Sequence, residues 1–405
     1  MKFVISATEL KGLLKSIQAL QSLSSASKDS LYCRFTVEDD NVMAESAFMG
    51  TYLKKKLDAK PLRPGTCGIN INTIAKIQLK SDVTVELNDT QDKLLFHGNK
   101  YNFEVKTDQI TVGVVESTRP KNNFTLEVML PTKLLVDATN TVAIKPSLKE
   151  DDLRLEFVIK QKDSDGILSV TGADYFTLAR YLRKSADIKI KKPIKFVLKS
   201  SAIAAIMSEV KSERIGIGTE CDQDGQVKQV MFISNEVTLL FPALMVPLSD
   251  AAALSAEVRS TTQEFSFTVL RKAFQDALTT IKAIHDGTNT MTLALKISCN
   301  EIIIASKTIE ADADAEIEAS DIKIQTGESC VVNLNERYLT ELIKLSPSVL
   351  PLEIAGWSSE SKLLTIRALR LDNGIIEYMM PQSIVVTEKT EQKSVRKRKT
   401  KDQDT

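Results

Sequence analysis

The sequence predicts an α+β fold built from three tandem copies of one domain, each with two helices backed by antiparallel sheet. Three observations carry that prediction. A Phe-led strand running straight into an amphipathic helix occurs three times, at intervals of roughly 130 residues. A second strand and helix follow each opening after roughly 65 residues. Alternating runs separated by turn residues fill the space after every helix, as hairpins do.

The openings are Phe3-Val4-Ile5 into Leu10-Lys11-Gly12-Leu13-Leu14, Phe124-Thr125-Leu126 into Leu130-Pro131-Thr132-Lys133-Leu134-Leu135, and Phe265-Ser266-Phe267 into Leu270-Arg271-Lys272-Ala273-Phe274. The second helices follow Cys67-Gly68-Ile69, Phe196-Val197-Leu198 and Cys330-Val331-Val332. Residues 32–37, 153–159 and 291–297 alternate like half-buried strands and take equivalent places in the repeats. Each runs into a turn (38–41, 163–166 and 298–300) and a returning strand. Residues 311–318 put small or apolar residues on one face and carboxylates on the other. About eight strands per repeat result. The repeats divide the chain at 1–120, 121–260 and 261–384, with linkers around 117–123 and 259–263. Residues 385–405 have little apolar content and carry Arg396-Lys397-Arg398-Lys399, the composition of a basic disordered tail.

Basic and acidic residues balance, 53 against 53, so partner preference depends on where the charges sit rather than on their sum. The longest apolar runs, such as 237–246, are too short to span a bilayer. Met1-Lys2 leads into a strand and a charged helix rather than a secretion signal. Five widely spaced cysteines without a C-x-x-C pair suit a reducing compartment with buried thiols, and the expected location is cytoplasmic.

The cations follow the helices. Lys11, Lys15, Lys133, Arg271, Lys272 and Lys282 fall on the first helices of the repeats, and Lys76, Lys80, Lys199, Lys211, Arg337 and Lys344 on the second. Lys11/Lys15 and Lys76/Lys80 are spaced four apart and share a face opposite Leu and Ile positions. One such face alone is an ordinary solvated surface. Its recurrence on six helices, while carboxylates gather on strands, predicts a common positive surface that binds phosphates without reading bases. No helix carries a cluster of Arg, Asn and Gln suited to base edges. Aromatic content of 5% with a single Trp offers no stacking platform for single strands. Double-stranded DNA is the predicted ligand.

Patterns for catalysis and metal binding are missing. His97 and His285 stand in different repeats without Cys or carboxylate neighbours. Gly216-Ile217-Gly218 lacks the third glycine of a dinucleotide loop. Asp163-Ser164-Asp165-Gly166 begins like a calcium loop, lacks the later ligands, and reads as a hairpin turn. Asp312, Asp314, Glu316 and Glu318 alternate along a strand, as an exposed face does. No enzyme activity, metal or cofactor is expected.

The run Leu168-Ser169-Val170-Thr171-Gly172-Ala173-Asp174-Tyr175-Phe176-Thr177-Leu178-Ala179 resembles the V-A-T-D-G-H-R-L-A signature of the bacterial β sliding clamp of DNA polymerase III. Tyr378-Met379-Met380-Pro381-Gln382 resembles that family's closing V-V-M-P-M, and Val332-Asn333-Leu334-Asn335-Glu336-Arg337-Tyr338-Leu339 its G-F-N-x-x-Y-L. With Met1-Lys2-Phe3 and the helix after it, the resemblance spans residues 1–384. It implies a head-to-tail homodimer that closes a ring of six similar domains around duplex DNA. Such a ring tethers a DNA polymerase through effective concentration, and a clamp loader is a further partner. Carried over by position, Phe157, Ala173, Asp174, Tyr175, Phe176, Leu178, Pro242, Val246, Asn335, Tyr338, Met379, Met380 and Pro381 would form a partner-peptide cleft between domains 2 and 3. Phe103, Thr279 and Thr280 would lie at the subunit contact. Tyr175-Phe176-Thr177 stands where the signature has Gly-His-Arg, and Gln382 where it has the second Met. Thr279 and Thr280 replace larger apolar residues, and the basic tail lies beyond the family's usual end. These departures imply a divergent member, such as a phage-encoded one. The competing reading is a three-domain scaffold that does not bind DNA.

Overall fold

A computed structural model describes residues 1–21, 31–74, 80–99, 101–120, 124–142, 154–173, 178–199, 203, 207, 210–245, 263–284, 292–307, 312–325, 327–336, 339–340, 343, 351–356, 363–369 and 375–381. The first strand, β1 (Lys2–Ile5), ends at Ser6. The Ser6 hydroxyl accepts from the Glu9 N–H at 3.1 Å, and its carbonyl accepts from Leu10, an N-cap that opens helix α1 (Ala7–Gln21). Leu10, Leu13, Leu14, Ile17 and Leu20 recur at helical spacing and are buried, while Lys11 and Lys15 lie exposed. The strands β2 (Tyr32–Val37), β3 (Val42–Phe48), β4 (Thr51–Leu57), β5 (Ala59–Arg63) and β6 (Gly65–Asn70) follow. Next come β7 (Val83–Leu87), β8 (Lys93–Gly98), β9 (Asn102–Lys106) and helix α2 (Gln109–Thr118).

The middle of the chain begins with β10 (Thr125–Pro131) and α3 (Thr132–Val142). It continues through β11 (Arg154–Lys162), β12 (Asp165–Ala173), β13 (Leu178–Ser185), β14 (Lys189–Ile190), β15 (Ile194–Lys199), β16 (Arg214–Cys221), β17 (Val227–Ile233) and β18 (Val237–Pro242). The last third opens on β19 (Phe265–Leu270) and α4 (Arg271–Ile284), whose Phe274, Ala277, Leu278 and Ile281 form a buried stripe. Then come β20 (Thr292–Ser298), β21 (Ile302–Lys307), β22 (Asp312–Ile317), β23 (Ala319–Ile324), β24 (Ser329–Asn335), β25 (Pro351–Gly356), β26 (Leu363–Leu369) and β27 (Ile375–Pro381).

One pairing plan recurs. The order β5-β1-β7-β8-β9 is matched by β14-β10-β16-β17-β18 and by β23-β19-β25-β26-β27, and β6-β2-β3-β4 by β15-β11-β12-β13 and β24-β20-β21-β22. Phe3, Val128 and Phe267 each stand four residues before a helix start, which sets the first alignment. Across the ladders this gives the equivalent rows Phe3–Val85–Phe96–Phe103, Val128–Ile217–Phe232–Leu239 and Phe267–Ile354–Ile366–Tyr378. Ile69, Leu198 and Leu334 each stand five residues before a buried residue, Ile74, Ile203 and Leu339, which sets the second. Its rows are Gly68–Arg34–Glu45–Lys54, Val197–Glu156–Thr171–Arg180 and Asn333–Ala294–Ala305–Asp314.

The sheets run on across two junctions. β18 pairs with β4 through Thr238↔Lys54 and Leu239↔Leu53, and β27 pairs with β13 through Glu377↔Arg180 and Tyr378↔Ala179. β9, the counterpart of β18 and β27, and β22, the counterpart of β4 and β13, each end their sheets. Helices α1, α3 and α4 pack on β4, β13 and β22. Leu53 of β4 joins the main core with α1. Its neighbour Tyr52 instead joins Ala47, Met231, Leu240 and Val115 of α2, so α2 covers the opposite face of β6, β2 and β3. Gly172 has no room for a Cβ, which would lie 2.2 Å from the Val142 carbonyl oxygen where α3 ends against β12.

Several expectations are corrected. Among the described residues each third of the chain contributes nine strands, against the roughly eight expected. The extra ones, such as β5 and β23, are largely exposed edge strands with no apolar alternation to reveal them. Leu130, Pro131 and Leu270 close strands, so the helix of the second opening starts two residues later, at Thr132, and that of the third one residue later, at Arg271. In the last third the counterpart of Cys67-Gly68-Ile69 is Val332-Asn333-Leu334, because β24 runs on to Asn335. The five cysteines are free, but Cys221 and Cys299 are exposed rather than buried. Burial pushes the Cys67 thiol up to about 11 and raises Cys33 as well.

Candidate nucleic-acid interface and partner cleft

The first-helix cations stand where the sequence puts them. Lys11 and Lys15 on α1, Lys133 on α3, and Lys272 and Lys282 on α4 are exposed, and Arg271 is half-buried. Although α1, α3 and α4 hold equivalent places against their sheets, only Lys133 and Lys272 share a helix position; Lys11 and Lys15 correspond to Val136 and Asn140 of α3 and to Gln275 and Thr279 of α4. Lys282 also pairs with Glu336. The second-helix set is different. Lys80 is exposed in coil before β7, Lys199 closes strand β15 half-buried, and Lys211 lies in coil before β16. None of these three is on a helix, since the apolar helical spacing, seen at Ile203 and Met207, stops short of them. Lys76, Arg337 and Lys344 lie outside the described residues.

Lys211 binds the protein itself. Its Nζ is 3.0 Å from Glu9 Oε2, and Lys55 Nζ is 3.2 Å from Glu9 Oε1. Glu9 and Lys55 are buried, and Lys211 is 62% exposed. The triad joins α1, β4 and the coil before β16, beside the β4–β18 pairing. Burial alone would push the Glu9 carboxyl up. The hydrogen bond from Lys211 and the Lys55 charge outweigh it and hold the carboxyl below its ordinary value. A second buried carboxylate, Glu45, accepts from Tyr52 Oη and from Arg119 Nε and Nη2 at 2.9 and 2.7 Å, which anchors the end of α2. Burial again works against ionisation, and the Arg119 and Tyr52 hydrogen bonds prevail. Sequence reading found neither Glu9 nor Lys55, because only chain pairing brings them together.

The cleft residues divide. Leu178 opens β13 opposite Ala173, both buried, and is in register with Met379. Met380 and Pro381 pair with Leu364 and Leu363 of β26. Pro242 is exposed at the end of β18, and half-buried Asn335 ends β24 in a different sheet. Phe157 is core, not cleft: fully buried, it stacks on Phe196 with ring centroids 4.9 Å apart and meets Phe232 edge-on at 6.4 Å. Asp174, Tyr175, Phe176, Val246 and Tyr338 lie outside the described residues. Sequence reading missed Met245, 57% exposed just past Pro242. Its signal is the apolar run 237–246, longer than the strand it contains.

At the other candidate contact, Phe103 is half-buried and stacks on Phe96 at 4.6 Å. Thr279 and Thr280 are exposed on α4, and their hydroxyls donate back to the Gln275 and Asp276 carbonyls at 2.8 and 3.0 Å. What they offer a partner is therefore methyl surface. Asp163 and Asp165 face Lys184 at 3.7 and 3.4 Å beside a hairpin turn. His97 is exposed against Asn102, and His285 lies outside the described residues. Among the described residues no group of His, Cys, Asp or Glu could hold a metal, and no helix is long and apolar enough to cross a membrane.

No family model and no curated protein matches the sequence. Solved structures do. A DNA polymerase III β subunit from Thermotoga maritima superposes with a TM-score of 0.73 at 16% identity, covering 95% of this chain and 99% of that one. A DNA polymerase sliding clamp from Bacillus subtilis gives 0.68 at 16% identity, with coverage of 95% and 99%. The chain has the sliding-clamp fold. A Helicobacter pylori β clamp bound to a DNA ligase peptide shares the sliding-clamp fold at a TM-score of 0.67 and 17% identity, with coverage of 95% and 100%. At such identities the likeness resides in backbone path rather than in side chains.

Proposed function

We propose that this chain is a DNA sliding clamp, a non-enzymatic, cytoplasmic processivity factor. As a head-to-tail homodimer of three-domain subunits it encircles double-stranded DNA. It tethers a DNA polymerase, and meets its clamp loader, through a peptide cleft between the second and third domains. The repeated sheet junction carries this reading. Twice the last strand of one repeat pairs with the fourth strand of the repeat before it, β18 with β4 and β27 with β13. The same rule applied to the open edges pairs β9 of one copy with β22 of another, and a heterologous contact of this kind makes a ring when its rotation closes. The equivalent rows set the register: Asn102 opposite Asp314, Phe103 opposite Ala313 and Glu104 opposite Asp312. Phe103 thereby enters the contact, with Thr279 and Thr280 of α4 behind β22. The likeness to β clamps over 95% of the chain supports the same reading.

The deciding experiment is retention after loading. The protein is expected to stay on nicked circular duplex and to run off linear duplex, whereas equal retention on both would refute encirclement. Lys11→Glu with Lys15→Glu is expected to weaken duplex binding for every sequence alike. It should also flatten the salt dependence by about 0.9 for each phosphate no longer neutralised, read as the slope of log affinity against log salt. Removing Met380 and Pro381 takes away only the end of β27 beyond its last pair with β13. Ring assembly should survive while polymerase binding is lost in a pull-down, and unchanged polymerase binding would move the cleft elsewhere.

A further inference from the structure

We infer that the outer face of the strands β15-β11-β12-β13 is a docking surface for a short extended segment of a partner protein, one in which carboxylates flank a few apolar side chains. This goes beyond the proposed function and does not depend on it. Helix α3 packs on β12 and β13 from one side, and side chains that alternate with the buried ones point the other way. On that side one row runs Lys195–Val158–Ser169–Leu182–Ile375 and the next Lys160–Ile167–Lys184, with Lys162 opposite Asp165 one row further on. Val158, Ile167, Leu182 and Ile375 are half-buried, and Lys160, Lys162, Lys184 and Lys195 stand exposed around them. An apolar centre inside a polar rim is the layout of a protein interface.

The other repeats show that the fold does not need cations there. At the positions of Lys160, Lys184 and Lys195 the first third has Glu38, Asp58 and Thr66, and the last third Ser298, Glu318 and Val331. The hairpin is also longer. Its counterparts close at the level of Lys160 and Ile167, where the Glu38 N–H donates to Asn41 and the Ser298 N–H to Glu301. β11 and β12 pair on through Gln161↔Gly166 and Lys162↔Asp165, and the added row brings in Lys162. The carboxylates of this face leave charge over. Asp163 and Asp165 stand 3.7 and 3.4 Å from Lys184, and the buried Glu156 stands 3.0 Å from Lys195. In the row of Glu156, Arg180 donates to the Ser169 hydroxyl and has Glu377 opposite it in register. Among the described residues no carboxylate pairs with Lys160 or Lys162. Duplex phosphates would meet these lysines, but Asp163 and Asp165 would repel them and the apolar centre would gain nothing. A polypeptide supplies both chemistries. From β15 to β13 the patch spans about 14 Å at ~4.8 Å per strand, which four residues of extended chain cover at ~3.4 Å each.

Fluorescence anisotropy of the full chain with the labelled peptide Glu-Glu-Leu-Val-Leu-Glu-Glu tests this, against a peptide with serine at the three apolar positions. The first peptide should bind and the serine peptide should bind several times more weakly. Lys160→Glu with Lys162→Glu should weaken the first by about tenfold, and Lys160→Gln with Lys162→Gln by less. Both variants should bind a duplex oligonucleotide as the parent does at 0.15 M salt, where the Debye length is about 8 Å. Methyl NMR supplies a second readout: the first peptide should shift the Ile167 δ1 methyl signal, assigned through Ile167→Val. The inference is overturned if the peptide does not bind, if it binds no better than its serine counterpart, or if it ignores the charge reversal. A reversal that weakens duplex binding and spares the peptide would also overturn it, and would assign these lysines to DNA.

Discussion

Replacing Glu104 with proline is expected to open the ring while leaving each chain folded. The Gly98 N–H donates to the Tyr101 carbonyl, so the hydrogen-bonded pairs of the β8–β9 ladder continue at Phe96 and Phe103. The backbone groups of Asn102 and Glu104 therefore point to the open edge. A proline there removes a donor from that edge without breaking the existing ladder, as edge strands tolerate. The Lys93–Glu104 ion pair also disappears, but it is exposed and worth at most about 1 kcal/mol. A two-copy ring has two identical contacts, so one missing hydrogen bond at each costs about 2 kcal/mol before any clash of the proline ring. Self-association measured by sedimentation velocity should weaken by roughly thirtyfold or more. Asp312→Lys should act in the opposite direction. It turns two carboxylates facing each other across the contact into an opposite-charge pair, a gain of about 0.2–1 kcal/mol at each contact. Unchanged assembly in the Glu104→Pro protein would place the subunit contact on another surface.

The same register logic shows how far sequence reading reaches. The openings at Phe3 and Phe267 and the buried stripes of α1 and α4 were legible because helical spacing and a Phe-led strand are local signals. Helix α2 was not. Its segment, Gln-Ile-Thr-Val-Gly-Val-Val-Glu-Ser-Thr, is rich in β-branched residues and reads as strand or linker, yet tertiary packing on the outer face of β2, β3 and β6 makes it helical. The sheet junctions were equally hidden, because β18 and β4 lie far apart in sequence and nothing local marks their pairing. Cations were the clearest site signal and also the most misleading. Lys199 and Lys211 look like members of a helical stripe, but one closes a strand and the other neutralises Glu9.

Glu9→Ala is expected to destabilise the chain by about 3 kcal/mol or more, because it leaves the Lys55 ammonium buried without its carboxylate. Ser6 and Glu9 have the spacing of a capping box, but the Glu9 carboxylate is spent on Lys55 and Lys211, so losing it damages a junction rather than a helix end. Lys211→Ala should cost no more than about 1 kcal/mol, since that end of the triad is solvated. Glu9→Leu combined with Lys55→Met should recover most of the loss by replacing the buried pair with apolar packing. The pH dependence has a definite sign. A carboxyl held below its unfolded value contributes stability that is fully present above the unfolded pKa of about 4.3 and is lost as pH falls through the folded value. Glu45, held low by Arg119 and Tyr52, acts in the same direction on the same side of the molecule. Acid should therefore loosen the β4–β18 region first, and Glu9→Gln should flatten the fall in melting temperature below pH ~4.3. A Glu9→Ala protein within about 0.5 kcal/mol of the parent in urea unfolding would mean that Lys55 finds water or another partner, and the triad would lose its role as the lock between the first two repeats.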